Sequence, residues 1–408
     1  MKKVMGLPTR AETLSRFFEV WSVPEPSTEV VQTREAYGRV LACDVFSLVD
    51  KPVVRASSMD GIGVKSSVFT ALPLNGSVKA LNEIAAFWQL GVDYCRADTG
   101  DDFSDDFDAV IQIEDVTILP NGGIRFAEDM EKGIVSGWNV QGRGAQLPKG
   151  ALIGAKYAKI NACDISALSI GGVAAVVVLK KPRVAFIPTG NELIPLGELP
   201  QRGQCVDSNS YMAKYMLEEM GAEPVIFPIV RDNLDEINAA LDEALKECDI
   251  VVINAGTSKG GEDFSHRVIA ERGVISNHGV ASAPGKPMAM AVVNSKPVIN
   301  VAGPSVACFN GLDWAVRPVI AKALRQAPAL RRTVKATLTK PIDGGQGERF
   351  EAIVRIDLEK TENGYLAHPV SHRNRHTTDA LKADGLYVTK IPPEPASIGD
   401  VIEVELLR

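Results

Sequence analysis

The chain has only six cysteines in 408 residues, at positions 43, 95, 163, 205, 248 and 308, and none stands in a Cys-x-x-Cys pair. That spacing gives neither a zinc site nor a disulfide framework, so reduced thiols are expected. Basic excess is missing too: 44 lysines and arginines against 51 aspartates and glutamates leave a formal charge of −7. A nucleic-acid binder would carry a basic stripe, which excludes that class here, although a small anion can still be held locally. No window approaches eighteen apolar residues, and the two lysines after Met1 have no apolar stretch behind them. We therefore expect a cytoplasmic protein without a membrane span.

What is present is ordinary soluble-core chemistry, 45% apolar and 23% charged residues, in a chain long enough for two to four domains. Residues 10–46 carry helical spacing, with Phe17, Phe18 and Trp21 before the break at Val23-Pro-Glu-Pro26 and Ala36, Val40 and Leu41 after it, which predicts two helices. From 47 to 141 short β-like runs such as Ala109–Ile113 and Gly123–Phe126 alternate with Asn-Gly and Asp-rich turns, predicting a small β-rich domain. A helix-like run at Asp164–Leu168 and a strand-like one at Ala174–Leu179 follow, and return the chain to the first segment's domain.

Between about 181 and 328 apolar strands alternate with amphipathic helices as in βαβ units. Predicted strands are Val184–Ile187, Pro224–Pro228, Ile250–Ile253 and Val298–Val301; predicted helices run from Ser208 to Met220, capped by Ser208 or Asn209, and along Leu234, Ile237, Leu241 and Leu245. Ligands of such sheets sit at the strands' carboxyl ends, and three of those ends carry Gly with Thr, Ser, Asn or Glu. The richest is Asn254-Ala-Gly-Thr-Ser-Lys-Gly-Gly-Glu-Asp263, a small-residue turn before a helix-like segment, suited to an anion through exposed N–H groups, Ser258 and Lys259. It has neither the Gly-x-x-x-x-Gly-Lys-Ser/Thr nor the Gly-x-Gly-x-x-Gly spacing of nucleotide loops. Beyond about 329 the alternation of Val334–Lys340 and Val401–Leu406 predicts a C-terminal β-barrel.

In order and spacing, Gly38-Arg-Val-Leu-Ala42, Ser58-Met-Asp-Gly61, Thr99-Gly100, Asp108-Ala-Val-Ile111, Pro188-Thr-Gly-Asn-Glu-Leu193, Asp207-Ser-Asn209, Ser258–Asp263, His278-Gly-Val280, Pro284-Gly-Lys-Pro287 and Arg317-Pro318 resemble the MoeA and gephyrin E-domain family of molybdopterin molybdenumtransferases. The resemblance runs nearly end to end. It implies a multidomain α/β plus β fold: a split N-terminal domain (1–46 and 142–180), a β-rich domain inserted in it (47–141), a MogA-like doubly wound α/β domain (181–328) and a C-terminal β-barrel (329–408). It also implies a homodimer, a partner that is a molybdopterin adenylyltransferase or a molybdoenzyme, and a reaction in which adenylated molybdopterin and molybdate yield the metal-loaded pterin and AMP.

The same resemblance marks Asp60, Glu192, Asp207 and Asp263 as catalytic carboxylates, the last three as Mg²⁺ ligands, and Thr99, Thr189, Gly190, Gly256, Ser258, Lys259, Gly260, Lys286 and Ser305 as substrate contacts. On the residues alone, Asp207 and Glu192 could cap helices, Asp60 could start a turn, and Lys286 could be a solvated lysine. Some positions depart from the family. Ala145-Gln146 replaces an acidic pair, Ala283 a lysine, Ala255 the first glycine of a Gly-Gly, and Ala302-Gly-Pro-Ser305 a Pro-Gly-Asn-Pro turn, while Lys259 adds a charge. These changes keep open a catalytically degenerate paralogue that serves as a carrier, sensor or scaffold. The acidic run Asp101–Asp108 reads as a solvated turn, and Ser371–His376 as a positively charged segment.

Overall fold

The computed structural model describes residues 6–70, 78–130, 133–255, 264–343, 350–370, 377–392 and 394–407. The chain forms two units, Met1–Ser27 with Lys180–Arg408, and Thr28–Leu179.

The first unit is built on a six-stranded sheet in the order Glu223–Ile226, Arg183–Pro188, Ile250–Asn254, Lys296–Val301, Ala289–Val293, Val274–His278. The first four strands are parallel, as the βαβ alternation predicts. Ala289–Val293 is antiparallel to both its neighbours, Lys296–Val301 and Val274–His278, a reversal that was not legible beforehand. Every residue of Ile250–Asn254 is buried, because a strand covered on both faces has no solvent side on which to alternate. Helix Leu234–Glu247 starts where Asn233 accepts from the N–H groups of Asp235 and Glu236, and it buries Ile237, Leu241 and Leu245 against the sheet. Each such buried aliphatic side chain contributes about 1.5–3 kcal/mol. Helix Arg10–Val20, closed by a Thr9–Glu12 capping box, packs on Val274–His278 and Ala289–Val293.

Strands Thr333–Leu338, Glu351–Thr361, Gly364–Val370, Gly385–Val388 and Val401–Leu406 close into a barrel, because Glu351–Thr361 pairs with both Gly364–Val370 and Gly385–Val388. Ile356, Ala367, Ile402 and Val404 fill it. Arg355, on the same long strand, is 2% exposed; its guanidinium stacks 4.2 Å from the Phe309 ring centre and donates to Asn310 Oδ1 at 3.2 Å. Burial lowers its pKa to about 10.

The Thr28–Leu179 unit contains a β-rich body inserted within a split one. The second helix expected before residue 46 does not form. Thr28–Gln32 is a strand paired antiparallel with Ala175–Leu179, residue Val30 facing Val177, and Gly38 breaks any helix with φ +75°. The β-branched pair Val30-Val31 fits a pleated surface, and its partner strand lies too far along the chain for local spacing to reveal. Leu41, Ile160, Leu168 and Val176 form the core there. In the inserted body Gly61–Val64 lies between Tyr94–Ala97 and Ala109–Gln112, over a core of Ile62, Trp88, Ile111 and Phe126.

Candidate active site

At the carboxyl end of Arg183–Pro188, Thr189 is fully buried and donates both its N–H (2.9 Å) and its hydroxyl (3.1 Å) to the Asn254 carbonyl. Gly190 follows with φ +154°, and a Cβ there would lie 2.7–2.9 Å from the Glu192 carboxylate. Glu192 therefore folds over Gly190, whose positive φ favours glycine and whose missing side chain leaves the carboxylate room to lie there. It precedes the short strand Leu193–Ile194, which pairs with Cys205–Val206. Hydrogen bonds from Cys205 N–H to Glu192 O and from Asp207 N–H to Ile194 O, both 2.9 Å, place the two carboxylate residues at opposite ends of this ribbon.

The exposed Cys205 thiol reports on both: burial raises its pKa, and the charges of Glu192 and Asp207 raise it further. Asp207 is itself 8% exposed, and its Oδ1 accepts from Ser210 N–H at 3.1 Å. It is the aspartate, and neither Ser208 nor Asn209, whose side chain caps helix Asn209–Glu219. Capping occupies one carboxylate oxygen and leaves the charge at the ribbon's end. Ser305, first residue of helix Ser305–Gly311, lies 3.5 Å from Ser208, oxygen to oxygen. Lys286 is exposed on a loop held by Val280 N–H to Lys286 O at 3.0 Å and by Asn310 Nδ2 to Pro284 O at 3.1 Å.

Gly256, Ser258, Lys259, Gly260 and Asp263 lie outside the described residues, as do Ser371–His376. Just before that loop, Ala255 has φ +84°, a left-handed conformation natural to the glycine it replaces. An alanine there carries about 1–3 kcal/mol of strain. Ala255→Gly should consequently be neutral or stabilising in chemical unfolding, where the same change in an ordinary strand would cost about 0.5–1 kcal/mol. A loss of that ordinary size would mean that the turn is unstrained.

Asp60 and Thr99 belong to the other unit. Thr99 donates its hydroxyl and its N–H to Asp60 Oδ1, both at 2.7 Å, and these bonds hold the Asp60 carboxyl below the ordinary aspartate value. Stability from such a group is present above the unfolded pKa and lost as pH falls through the lowered folded one. Thr99→Val should raise the Asp60 pKa, read by carboxyl-carbon NMR titration; an unmoved titration would contradict the pairing.

Two departures from the family have local explanations. Gln146, where an acid is usual, gives its amide to Gln141 Oε1 at 2.6 Å. The acidic run is gathered by Arg55, which donates to the Phe107 and Ser104 carbonyls at 2.6 and 2.7 Å, pairs with Asp105 at 3.1 Å and stacks on Phe103. Asp108 accepts from Ser66 N–H at 2.6 Å. The sequence reading placed Asn254 in the turn without a role of its own and missed Asn300; both are buried near the ends of parallel strands, and an asparagine at or inside an apolar strand run was the available signal. Among the described residues no three His, Cys, Asp or Glu side chains form a metal-sized cluster, and no helix is long and apolar enough to cross a membrane.

Residues 9–172 match the family model described as the MoeA N-terminal region (domain I and II), and residues 185–322 match that of a probable molybdopterin binding domain. Among curated relatives, the molybdopterin molybdenumtransferase of Bacillus subtilis is 27% identical over 391 residues, 93% of this chain and 90% of that one. That of Haemophilus influenzae is 29% identical over 304 residues, 74% of each. The crystal structure of the molybdopterin biosynthesis MoeA protein from Pyrococcus horikosii superposes with a TM-score of 0.80 at 26% identity, covering 99% of this chain and 100% of that one. Two family models, matching residues 9–172 and 185–322, and one structure that follows the chain from end to end place this protein in the MoeA family.

Proposed function

We propose that this protein is a molybdopterin molybdenumtransferase, which takes adenylated molybdopterin and molybdate, leaves molybdenum on the pterin dithiolene and releases AMP. The observation that carries the reading is the pair Glu192 and Asp207 at the two ends of one ribbon, beside Gly190 and Ser305, on the carboxyl side of the parallel sheet. Both reactants are anions, so a site for them needs donors, a cation and a means of offsetting phosphate charge. Lys286 supplies a point charge, and Ser258 with Lys259 is assigned to the phosphate.

Glu192 and Asp207 are oxygen donors of the kind Mg²⁺ takes, and two carboxylates with retained waters are its usual protein complement. Their donor chemistry suits that ion, and Asp263 is the third assigned ligand. Bound there, Mg²⁺ would neutralise phosphate charge as AMP leaves. Asp60, held below the ordinary aspartate pKa by Thr99, is proposed as a further catalytic carboxylate in its own unit. A homodimer completes the proposal; exposed Phe46, Leu48, Leu152 and Ile170 in the Thr28–Leu179 unit are apolar side chains that a second copy could cover.

The substituted acidic pair favours a second reading, a carrier or sensor that binds the same pterin without turning it over, since Gln146 is neutral and already hydrogen-bonded. Reconstitution of a cofactor-free molybdoenzyme from adenylated molybdopterin, molybdate, Mg²⁺ and this protein tests the choice. The transferase produces active molybdoenzyme; the carrier binds the pterin and yields none.

A further inference from the structure

Three asparagines, 209, 254 and 300, are buried at the carboxyl end of the parallel sheet, with exposures of 8%, 2% and 1%. A side-chain amide in an apolar core is costly unless its groups are paired, and a valine or isoleucine would pack as well, so each needs a reason to be there. Asn254 ends the strand Ile250–Asn254. Its backbone carbonyl anchors Thr189, its Oδ1 accepts from Asn209 Nδ2 at 2.9 Å, and its Nδ2 donates to Ala302 O at 2.9 Å. Asn209 Nδ2 reaches Gly303 O as well, at 2.7 Å. From the neighbouring strand, Asn300 Nδ2 donates to Ile253 O at 3.2 Å and to Ala255 O at 2.9 Å, holding the left-handed residue.

These bonds end on the segments that carry the proposed ligand groups: Thr189 to Glu192, Asp207 to Asn209, Ala255, and Ala302 to Ser305. Ordinary ladder bonds fix the strands but not these segments once the strands have ended. We propose that Asn254 is a positioning residue, acting with Asn209 and Asn300 to hold the loops in one arrangement, so that Asp207 and Ser305 meet the anionic substrate in a preset geometry. The consequence for turnover rests on the transferase reading; the mechanical link between the loops does not. Preset donors matter more to the transition state than to ground-state binding. A loosened relay therefore lowers kcat more than it raises KM.

The test is Asn254→Ala in the full chain, beside Leu245→Ala as a destabilised control whose buried side chain lies at the amino end of the sheet, next to the carbonyl that Lys296 grips. Hydrogen exchange read by mass spectrometry should quicken in peptides covering residues 208–210 and 302–305, with helix Leu234–Glu247 unchanged. With adenylated molybdopterin, molybdate and Mg²⁺, kcat of AMP release should fall at least tenfold while KM stays within threefold, and Asn209→Ala added to Asn254→Ala should cost little more. Unchanged exchange in those two segments overturns the inference. So does exchange that rises everywhere, with kcat no lower than in Leu245→Ala at equal Tm. If wild-type protein releases no AMP, the transferase reading fails, and the exchange result still decides the relay.

Discussion

Glu192→Gln and Asp207→Asn should each lower turnover by about 10²–10³, or about 2.7–4 kcal/mol of lost transition-state stabilisation, the usual effect of removing one preset charge-stabilising group. The substitutions are chosen so that shape survives. Asparagine at 207 keeps the oxygen that accepts from Ser210 N–H, so helix Asn209–Glu219 remains capped. Glutamine at 192 still fits over Gly190. Tm should therefore move by little, and what disappears is the charge. An internal check exists in Cys205, whose thiol pKa both carboxylates raise. In each variant it should fall, measured as the pH dependence of alkylation of the Cys205 peptide. Loss of turnover with an unmoved thiol would mean that the carboxylate does not lie near Cys205; full turnover would remove the residue from the site.

Gly61→Ala should produce the largest stability loss, about 3 kcal/mol or more. Gly61 pairs with Ala97 on one side and Gln112 on the other, and a Cβ there would sit 1.9 Å from Ile111 O and 2.8 Å from its carbonyl carbon. Both are backbone atoms of a paired strand, so no rotamer change relieves the clash. Gly91→Ala is the comparison: it has φ +85° but nothing within 4 Å of the new methyl, and should cost only the strain of its conformation, about 1–3 kcal/mol. Thermal unfolding ranks the two. Equal Tm values would show that the strands part easily at Gly61. The turn reading of Ser58-Met-Asp-Gly61 thus accounts for only part of the motif, since its glycine is demanded by a close backbone approach within a sheet.

Where a segment's burial followed from local pattern, the sequence could be read directly. Leu234, Ile237, Leu241 and Leu245 gave their helix, and the unbroken apolar run Ile250–Ile253 gave the central parallel strand. Residues 28–32 failed because a strand is defined by its partner, here about 147 residues away, and helical spacing of Ala36, Val40 and Leu41 was coincidental. Ala289–Val293 runs against the rest of the same sheet, antiparallel to both Lys296–Val301 and Val274–His278, which no βαβ alternation announces. In the candidate site, the residue types of Glu192 and Asp207 were legible, but their relation depends on a ribbon two residues long in each strand. Arg55 was invisible as the organiser of Asp101–Asp108, since its contacts span about fifty positions. Likewise Asn254 read as the first residue of the turn after Ile250–Ile253, and its amide bonds to Asn209 and Ala302 exist only once the sheet has assembled.

The central claim is chemical, and AMP release from adenylated molybdopterin in the presence of Mg²⁺, with and without molybdate, tests it most directly. Wild-type protein should release AMP only when molybdate is present, and Glu192→Gln should release it at least about a hundredfold more slowly while still binding the pterin. Tight pterin binding with no molybdate-dependent release would contradict the transferase and leave the carrier.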